Sequence, residues 1–427
     1  MSTPTPRSSL SRFIASSGLT NLGDGIATLA WAWVASLLTR DPLLIATVAV
    51  ALRLPWALFA VPAGLVADRV DRRRLILAMD LVRAVAFGAA ALALWAALPL
   101  SPAPQSGLSA PFVFAALLIA ATVVGVAEVF RDNAAQTMLP SLVPHDRLEQ
   151  ANGRLWSVEL IGNSLVGPAL GAVLVAALIA LPFAVNALAY GLAALLVAGI
   201  AGDFRAPQGE SRGWRAELAE GWGFLMQAPL LRLLAWITGF WNLFHQMMIV
   251  AMILHVQENL GLSAEIYGLV LAGGAVGGIL GGLSGGWVAR RLGPGRTAQV
   301  TMLASAFTFL GVGLAPNGWV LAAMFMVFEF TGFVWNTVSV STRQRAIPNR
   351  LLGRVNSLYR LLAWGMMPVG LALSGVVVRL ADGPLPRGQA LQLPFFVAAV
   401  GFLLVAAVSW RALERRFTAL RDAGGKL

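Results

Sequence analysis

Residues 64–73 read Gly64-Leu65-Val66-Ala67-Asp68-Arg69-Val70-Asp71-Arg72-Arg73, and Arg74 follows directly. This charged stretch fills the short gap between two apolar runs, 43–67 and 75–98. Each run is near the roughly 20 residues that a helix needs to cross a bilayer. The gap therefore turns the chain straight back into the membrane. Its arginines mark the side that faces the cytoplasm.

The same alternation extends in both directions. Spans are predicted at 10–37, 43–67, 75–98, 111–133, 154–179, 181–200, 230–255, 266–289, 297–315, 318–341, 355–378 and 392–410. Of the 427 residues 58% are hydrophobic and 12% charged, whereas a soluble domain carries roughly a quarter charged. Twenty-five of the 31 basic residues fall in the connections or at the span ends on one side, the side of both termini. Only Arg40, Arg379 and Arg387 lie on the other, and Arg53, Arg83 and Arg360 lie inside spans. The bias predicts an all-α polytopic membrane protein of twelve transmembrane helices with both termini in the cytoplasm. The N-terminal stretch, interrupted by Asn21 and Asp24, reads as a retained first helix rather than a cleaved signal.

Segment 201–229 is the longest polar stretch. Pro207, Gly209 and Ser211 open it, and Trp214 to Met226 follows an amphipathic pattern. The expected organisation is a six-helix bundle over 1–200, a cytoplasmic linker with an interfacial helix over 201–229, and a second six-helix bundle with a short tail over 230–427. The two bundles echo one another. Asn21-Leu22-Gly23-Asp24 matches Asn242-Leu243-Phe244-His245, and residues 64–69 match Gly286-Trp287-Val288-Ala289-Arg290-Arg291. Gly153-Arg154, Ser157 and Pro168 match Gly353-Arg354, Ser357 and Pro368. The consistent order predicts pseudo-symmetric halves.

Several function classes are excluded. There is no Cys, so no disulfide or thiolate site. The three His, at 145, 245 and 255, are dispersed and form no metal cluster. The net charge of +11 is spread over short loops, which points to topology and away from nucleic acid. The glycines of 273–286 sit in apolar sequence with no Lys-Ser/Thr after them, so they suit close helix packing and not a phosphate. No nucleophile–base pair stands out, so neither an enzyme nor a cofactor is expected.

Charges inside a bilayer are costly and mark function. Asp24 and Arg53 lie at similar depth on consecutive spans. Either Asp24 exchanges protons with Arg53 tuning it, or the two form a static ion pair. Glu128 and Glu329 occupy similar places in the two halves, and His245 stands where the repeat places Asp24. These five are the proton-coupling candidates. Glu329 shares a helical face with Phe333 and Asn336, while Trp241, Asn242 and Gln246 surround His245. With Asn21 they form the candidate lining for an amphipathic organic ligand.

The stretch 64–73 resembles the cytoplasmic signature of the major facilitator superfamily, G-x-L-A-D-R-x-G-R-[RK], with Asp71 where Gly is usual. Asn163 and Gly167-Pro168-x-x-Gly171-Ala172 in span 5 are similar to that superfamily's antiporter motif, with the first and last glycines replaced. Gly23-Asp24-Gly25, the run Arg131 to Pro140 and Leu148 to Gly153 resemble the branch holding the enterobactin exporter and macrolide-efflux proteins. The resemblance implies a secondary transporter of the bacterial cytoplasmic (inner) membrane, working as a monomer by alternating access and needing no cofactor. It implies proton-driven export of a siderophore-like or macrolide-like molecule. It also assigns Gly64, Asp68, Arg69 and Arg72 to a cytoplasmic gate, which Asp80, Arg83 and Arg131 are read as extending. A lipid flippase on the same fold, or a receptor that does not transport, is the alternative.

Overall fold

Helix starts in this chain are set by proline. Pro42, Pro111, Pro229 and Pro294 each open a helix, where a missing N–H costs nothing because the first turn has no acceptor for it. The computed structural model describes residues 6–144, 148–205 and 214–422. The helices are α1 Pro6–Leu38, α2 Pro42–Arg69, α3 Arg72–Ala96, α4 Pro111–Met138, α5 Leu148–Glu159, α6 Gly167–Ala177, α7 Leu181–Ala198, α8 Trp214–Gln227, α9 Pro229–Leu254, α10 Ala264–Leu292, α11 Pro294–Gly313, α12 Gly318–Ala346, α13 Asn349–Trp364, α14 Met367–Ala381 and α15 Arg387–Asp422. Ten segments of the described chain are long and apolar enough to cross a membrane. The runs in α1 and α11 are diluted by Ser, Thr, Asn and Gln. Helix α8 lies within the segment predicted as a linker. His145, Arg147, Pro207, Gly209, Ser211, Arg212 and Lys426 lie outside the described residues, as does the side chain of Asp68.

Predicted spans 5 and 11 are each interrupted. Between α5 and α6 the chain passes through a wide π-type segment, Leu160–Val166. Between α13 and α14 it breaks at Gly365-Met366. Each break comes just before a proline, Pro168 and Pro368, which has no N–H to give the preceding turn and crowds its carbonyls. The two prolines are the pair matched by the internal repeat.

The chain divides into two compact units. Unit 1 is Met1–Pro207 with Leu262–Ala272, and unit 2 is Gln208–Gly261 with Gly273–Leu427. In unit 1, α3 packs on α4 and α7, α2 on α4, and α1 on α6 and α7. Trp31, Phe87, Phe183 and Tyr190 fill its interior, with Trp31 and Phe183 edge-on at 4.8 Å and Phe87 stacked on Tyr190 at 5.3 Å. The α1 backbone runs against span 5. A Cβ added to Gly25 would stand 2.6 Å from the Gly162 carbonyl oxygen and 2.9 Å from Gly167 Cα. Only glycine allows that approach, and it fixes the depth of the neighbouring Asp24. In unit 2, α9 packs on α13, α14 and α15, and α11 on α12 and α15. Phe244, Phe309, Phe328 and Phe402 form its core.

Asp71, the residue that departs from the superfamily signature, has two structural tasks. One carboxylate oxygen accepts from the Arg74 N–H at 2.9 Å and caps α3. The other accepts from the Phe204 N–H at 3.1 Å, and the Phe204 ring is buried among Phe13, Ile76, Met138 and Ile200. The carboxylate thus pins the segment after α7 to the turn between α2 and α3. Burial works against its charge. The N–H groups of Phe204 and Arg74 and the Arg74 guanidinium outweigh that and hold its pKa below the usual 3.8. A depressed carboxylate stabilises the fold above its unfolded pKa and loses that effect as pH falls through its folded value. Asp71→Ala should therefore cost about 1–2 kcal/mol at neutral pH. Thermal unfolding in detergent should show a gap between variant and wild type that closes only in strong acid.

Candidate coupling sites

Asp24 sits in α1, held by the Gly25 contact just described. Its partner is not Arg53. Arg83 on α3 donates from Nη2 to Asp24 Oδ1, and Tyr190 on α7 donates to the same oxygen at 2.6 Å. Arg83 also donates to the Tyr190 hydroxyl at 2.6 Å and lies 4.1 Å from the centre of that ring. Three helices thus meet on one carboxylate oxygen. Arg83 and Tyr190 are fully buried. Arg53 is exposed, and the acid it acts on is Glu128. The sequence reading missed this because Asp24 and Arg53 match in depth but leave their helices in different directions. Arg83 sits one helix further on.

A second layer lies along α3 and α4. Arg131 Nε is 3.5 Å from Asp80 Oδ1, and its Nη1 is 3.3 Å from Asp132 Oδ1. Asp80 is wholly buried and Arg131 nearly so. Arg83, read from the sequence as extending the gate, makes its ion pair with Asp24. Of the other gate candidates, Arg72 donates to the Thr137 carbonyl at 2.9 Å and closes the end of α4. Arg69 is exposed and Gly64 half-buried. Asn21 bonds back to the Ser17 carbonyl within its own helix.

Asn186 and Tyr190 share one face of α7 at i and i+4. Neither was singled out from the sequence, although they are the only polar side chains in an apolar run of α7. That isolation is the signal that could have found them. Asn186 Oδ1 lies 2.8 Å from where a Gly23 Cβ would be, so Gly23 is needed to admit both Asn186 and Tyr190.

Unit 2 brings together two candidates that the sequence left separate. His245 Nε2 on α9 is 3.2 Å from Glu329 Oε1 on α12, with both side chains half-buried. Trp241 lies 4.8 Å from the His245 ring and stacks on Phe328 at 5.3 Å. Phe333 and Asn336 are exposed and Gln246 is half-buried. Asn242 departs from its expected lining role. It is buried, and its amide donates to the Ala363 carbonyl at 3.0 Å, joining α9 to α13. In span 5, Asn163 lies in the π-type segment, and a Cβ on Gly171 would meet the Ile26 carbonyl at 2.6 Å. Gly167 and Gly171 are therefore the packing face toward α1.

Among the described residues no group of three His, Asp or Glu is placed to hold a metal. The Major Facilitator Superfamily profile matches residues 13–371. The chain belongs to that superfamily. Its fold is similar to a bacterial homologue of the human lysosomal transporter Spinster, with TM-score 0.73 at 15% identity over 98% of this chain and 99% of that one. It is also similar to a bacterial homologue of the iron transporter ferroportin in an inward-facing state, with TM-score 0.68 at 16% identity over 96% and 98%. The nucleoside transporter NupG aligns with TM-score 0.68 at 14% identity over 96% and 99%. At these identities the likeness concerns the fold. No curated protein matches the sequence.

This superfamily chain is thus a multi-pass membrane protein of a transporter family, with buried charged contacts in unit 1 and a His245–Glu329 contact in unit 2. Arg83→Gln should strand the Asp24 charge and destabilise by about 3–5 kcal/mol, whereas Tyr190→Phe should cost about 1.5–3 kcal/mol. The double variant Asp24→Asn/Arg83→Gln should be more stable than Arg83→Gln alone. Thermal unfolding of the detergent-solubilised variants gives the order directly.

Proposed function

We propose that this chain is a proton-coupled exporter of small amphipathic organic molecules, acting as an antiporter by alternating access. The observation that supports it best is the set of carboxylates held inside the membrane by buried guanidiniums, Asp24 with Arg83 and Asp80 with Arg131. Intramembrane acids of this kind are expensive, and proton relays are a common reason to keep them. The sequence carries no phosphate-binding loop, so an ion gradient is the natural energy source. A charge crossing 100 mV gains about 2.3 kcal/mol.

In this reading α1 and α11 complete twelve spans, arranged as six-helix bundles over 1–200 and 230–427 with the linker 201–229 on the cytoplasmic side. The protein is a monomer of the bacterial inner membrane with both termini inside. The substrate is siderophore-like or macrolide-like, as in the branch that the sequence resembles. Half-buried Trp241, His245 and Glu329 with exposed Phe333 and Asn336 offer an acid, an amide and flat apolar faces to such a ligand. No nucleic-acid partner is involved, and lipid serves as the solvent of the fold.

The test is flux of erythromycin, as a macrolide probe, in proteoliposomes of the full chain with and without an imposed pH gradient. Acceleration by the gradient is the expected result. Movement of a labelled lysophospholipid that ignores the gradient would instead favour lipid flipping. Culture medium of the native host, compared by mass spectrometry with the gene present and deleted, should lose one organic compound on deletion.

A further inference from the structure

The acids of unit 1 are not equally served. Asp24 receives hydrogen bonds from Arg83 and Tyr190. Asp80 and Asp132 share Arg131, at 3.5 Å and 3.3 Å. Glu128, one turn before Arg131 on α4, has no hydrogen-bond or ion-pair partner among the described residues, and the exposed Arg53 reaches it only through space. The charged groups that act on Glu128 and on one another are Asp24 on α1, Arg53 on α2, Asp80 and Arg83 on α3, and Arg131 and Asp132 on α4. The phenol that faces them is Tyr190 on α7. Among the described residues this makes four carboxylates against three guanidiniums. One positive charge is missing.

A second observation is independent of that count. Asn186 is wholly buried, it points at Gly23 beside Asp24, and both ends of its amide lack a hydrogen-bond partner. Arg83 Nε and Nη1, both oxygens of Asp80, and Arg131 Nε and Nη2 are also buried without one. A wholly buried amide left unpaired at both ends is rare, and ordered water is the usual partner. Ordered water is the partner that these groups would take.

We infer that unit 1 binds a single exchangeable proton, that Glu128 and not Asp24 is the carboxyl that carries it, and that water along Asn186, Arg83 and Asp80 brings it there. This rests on the proton-coupled reading above and names its coupling residue. The Asp24–Arg83–Tyr190 contact is then a fixed brace, because its carboxylate already has a full cation and a hydroxyl. Glu128 has no cation or hydroxyl in hydrogen-bond contact among the described residues, so a proton is the least costly way to meet its charge in a medium of low dielectric. Proton gain and loss at Glu128 changes the cluster between neutral and singly negative without breaking a contact between helices.

The test is infrared difference spectroscopy of the full chain in lipid nanodiscs between alkaline and acidic buffer, in the region of the protonated-carboxyl C=O stretch. Glu128→Gln should remove one band, and Glu128→Asp should keep it at a shifted frequency. Tyr190→Phe leaves every charge in place but takes a hydrogen bond from Asp24, so it should leave the band where it is. A band untouched by Glu128→Gln, or one that moves in Tyr190→Phe, overturns the assignment. Loss of the band on adding sodium chloride at fixed pH would give the site to sodium and overturn the proton. These spectra need no substrate, so they stand apart from the failure of any transport probe. If erythromycin does move, Glu128→Gln should bring the ratio of flux with and without the pH gradient down to one while exchange continues. A ratio that stays at the wild-type value overturns the coupling role.

Discussion

A guanidinium and a carboxylate inside an apolar bundle bind each other's fate, since losing one partner costs about 3–5 kcal/mol. Neither can leave without stranding the other in a medium that does not solvate it. Arg83 and Asp24 are such a pair, and Tyr190 closes the third side. Since α1, α3 and α7 each supply one member, the contact fixes three helices against one another. The surrounding sequence follows from it. Gly23 is small because Asn186 and Tyr190 occupy the space of a side chain, and Gly25 is small because span 5 runs backbone to backbone with α1. Phe87 lies flat on Tyr190 and keeps the ring where its hydroxyl reaches Asp24.

The two units answer the same problem with different chemistry. The repeat aligns Asp24 with His245, yet the partners are reversed. In unit 1 an acid on the first helix meets an arginine, while in unit 2 a histidine on the corresponding helix meets Glu329. An arginine cannot give up its proton in the physiological range, whereas an imidazole does so readily. The unit 1 pair is therefore built to persist, and the unit 2 contact sets an imidazole against a carboxylate. Exposure agrees with this division. Arg83 is sealed, whereas His245 and Glu329 both keep part of their surface.

What could be read from the sequence follows the physics of each signal. Spans are long averages of hydropathy, and the positive-inside bias sums 25 residues against three, so single errors do not disturb them. The breaks come just before Pro168 and Pro368, which the internal repeat had matched, because proline acts on its own backbone. Partner identity was not visible. Depth along a helix can be counted from sequence, but rotation about its axis decides which side chains meet. A small error in where a span begins turns a residue toward the wrong neighbour. This is how Arg53 was read as the partner of Asp24 in place of Arg83. The pairing of His245 with Glu329 crosses from α9 to α12 and has no local signature at all.

Asp71 shows the same limit from the other side. It departs from the family signature at a place where glycine would give a tight turn freedom that aspartate lacks. Yet the turn closes without a positive φ at Asp71, so the freedom of glycine is not needed there. The side chain adds what glycine could not: a cap for α3 and a bond to the Phe204 N–H. The consequence lies in the linkage between elements distant in sequence. The segment leaving α7 is tied to the turn between α2 and α3 by one carboxylate and not by apolar packing alone. A substitution that looks like drift within one motif is, in the fold, a contact between two.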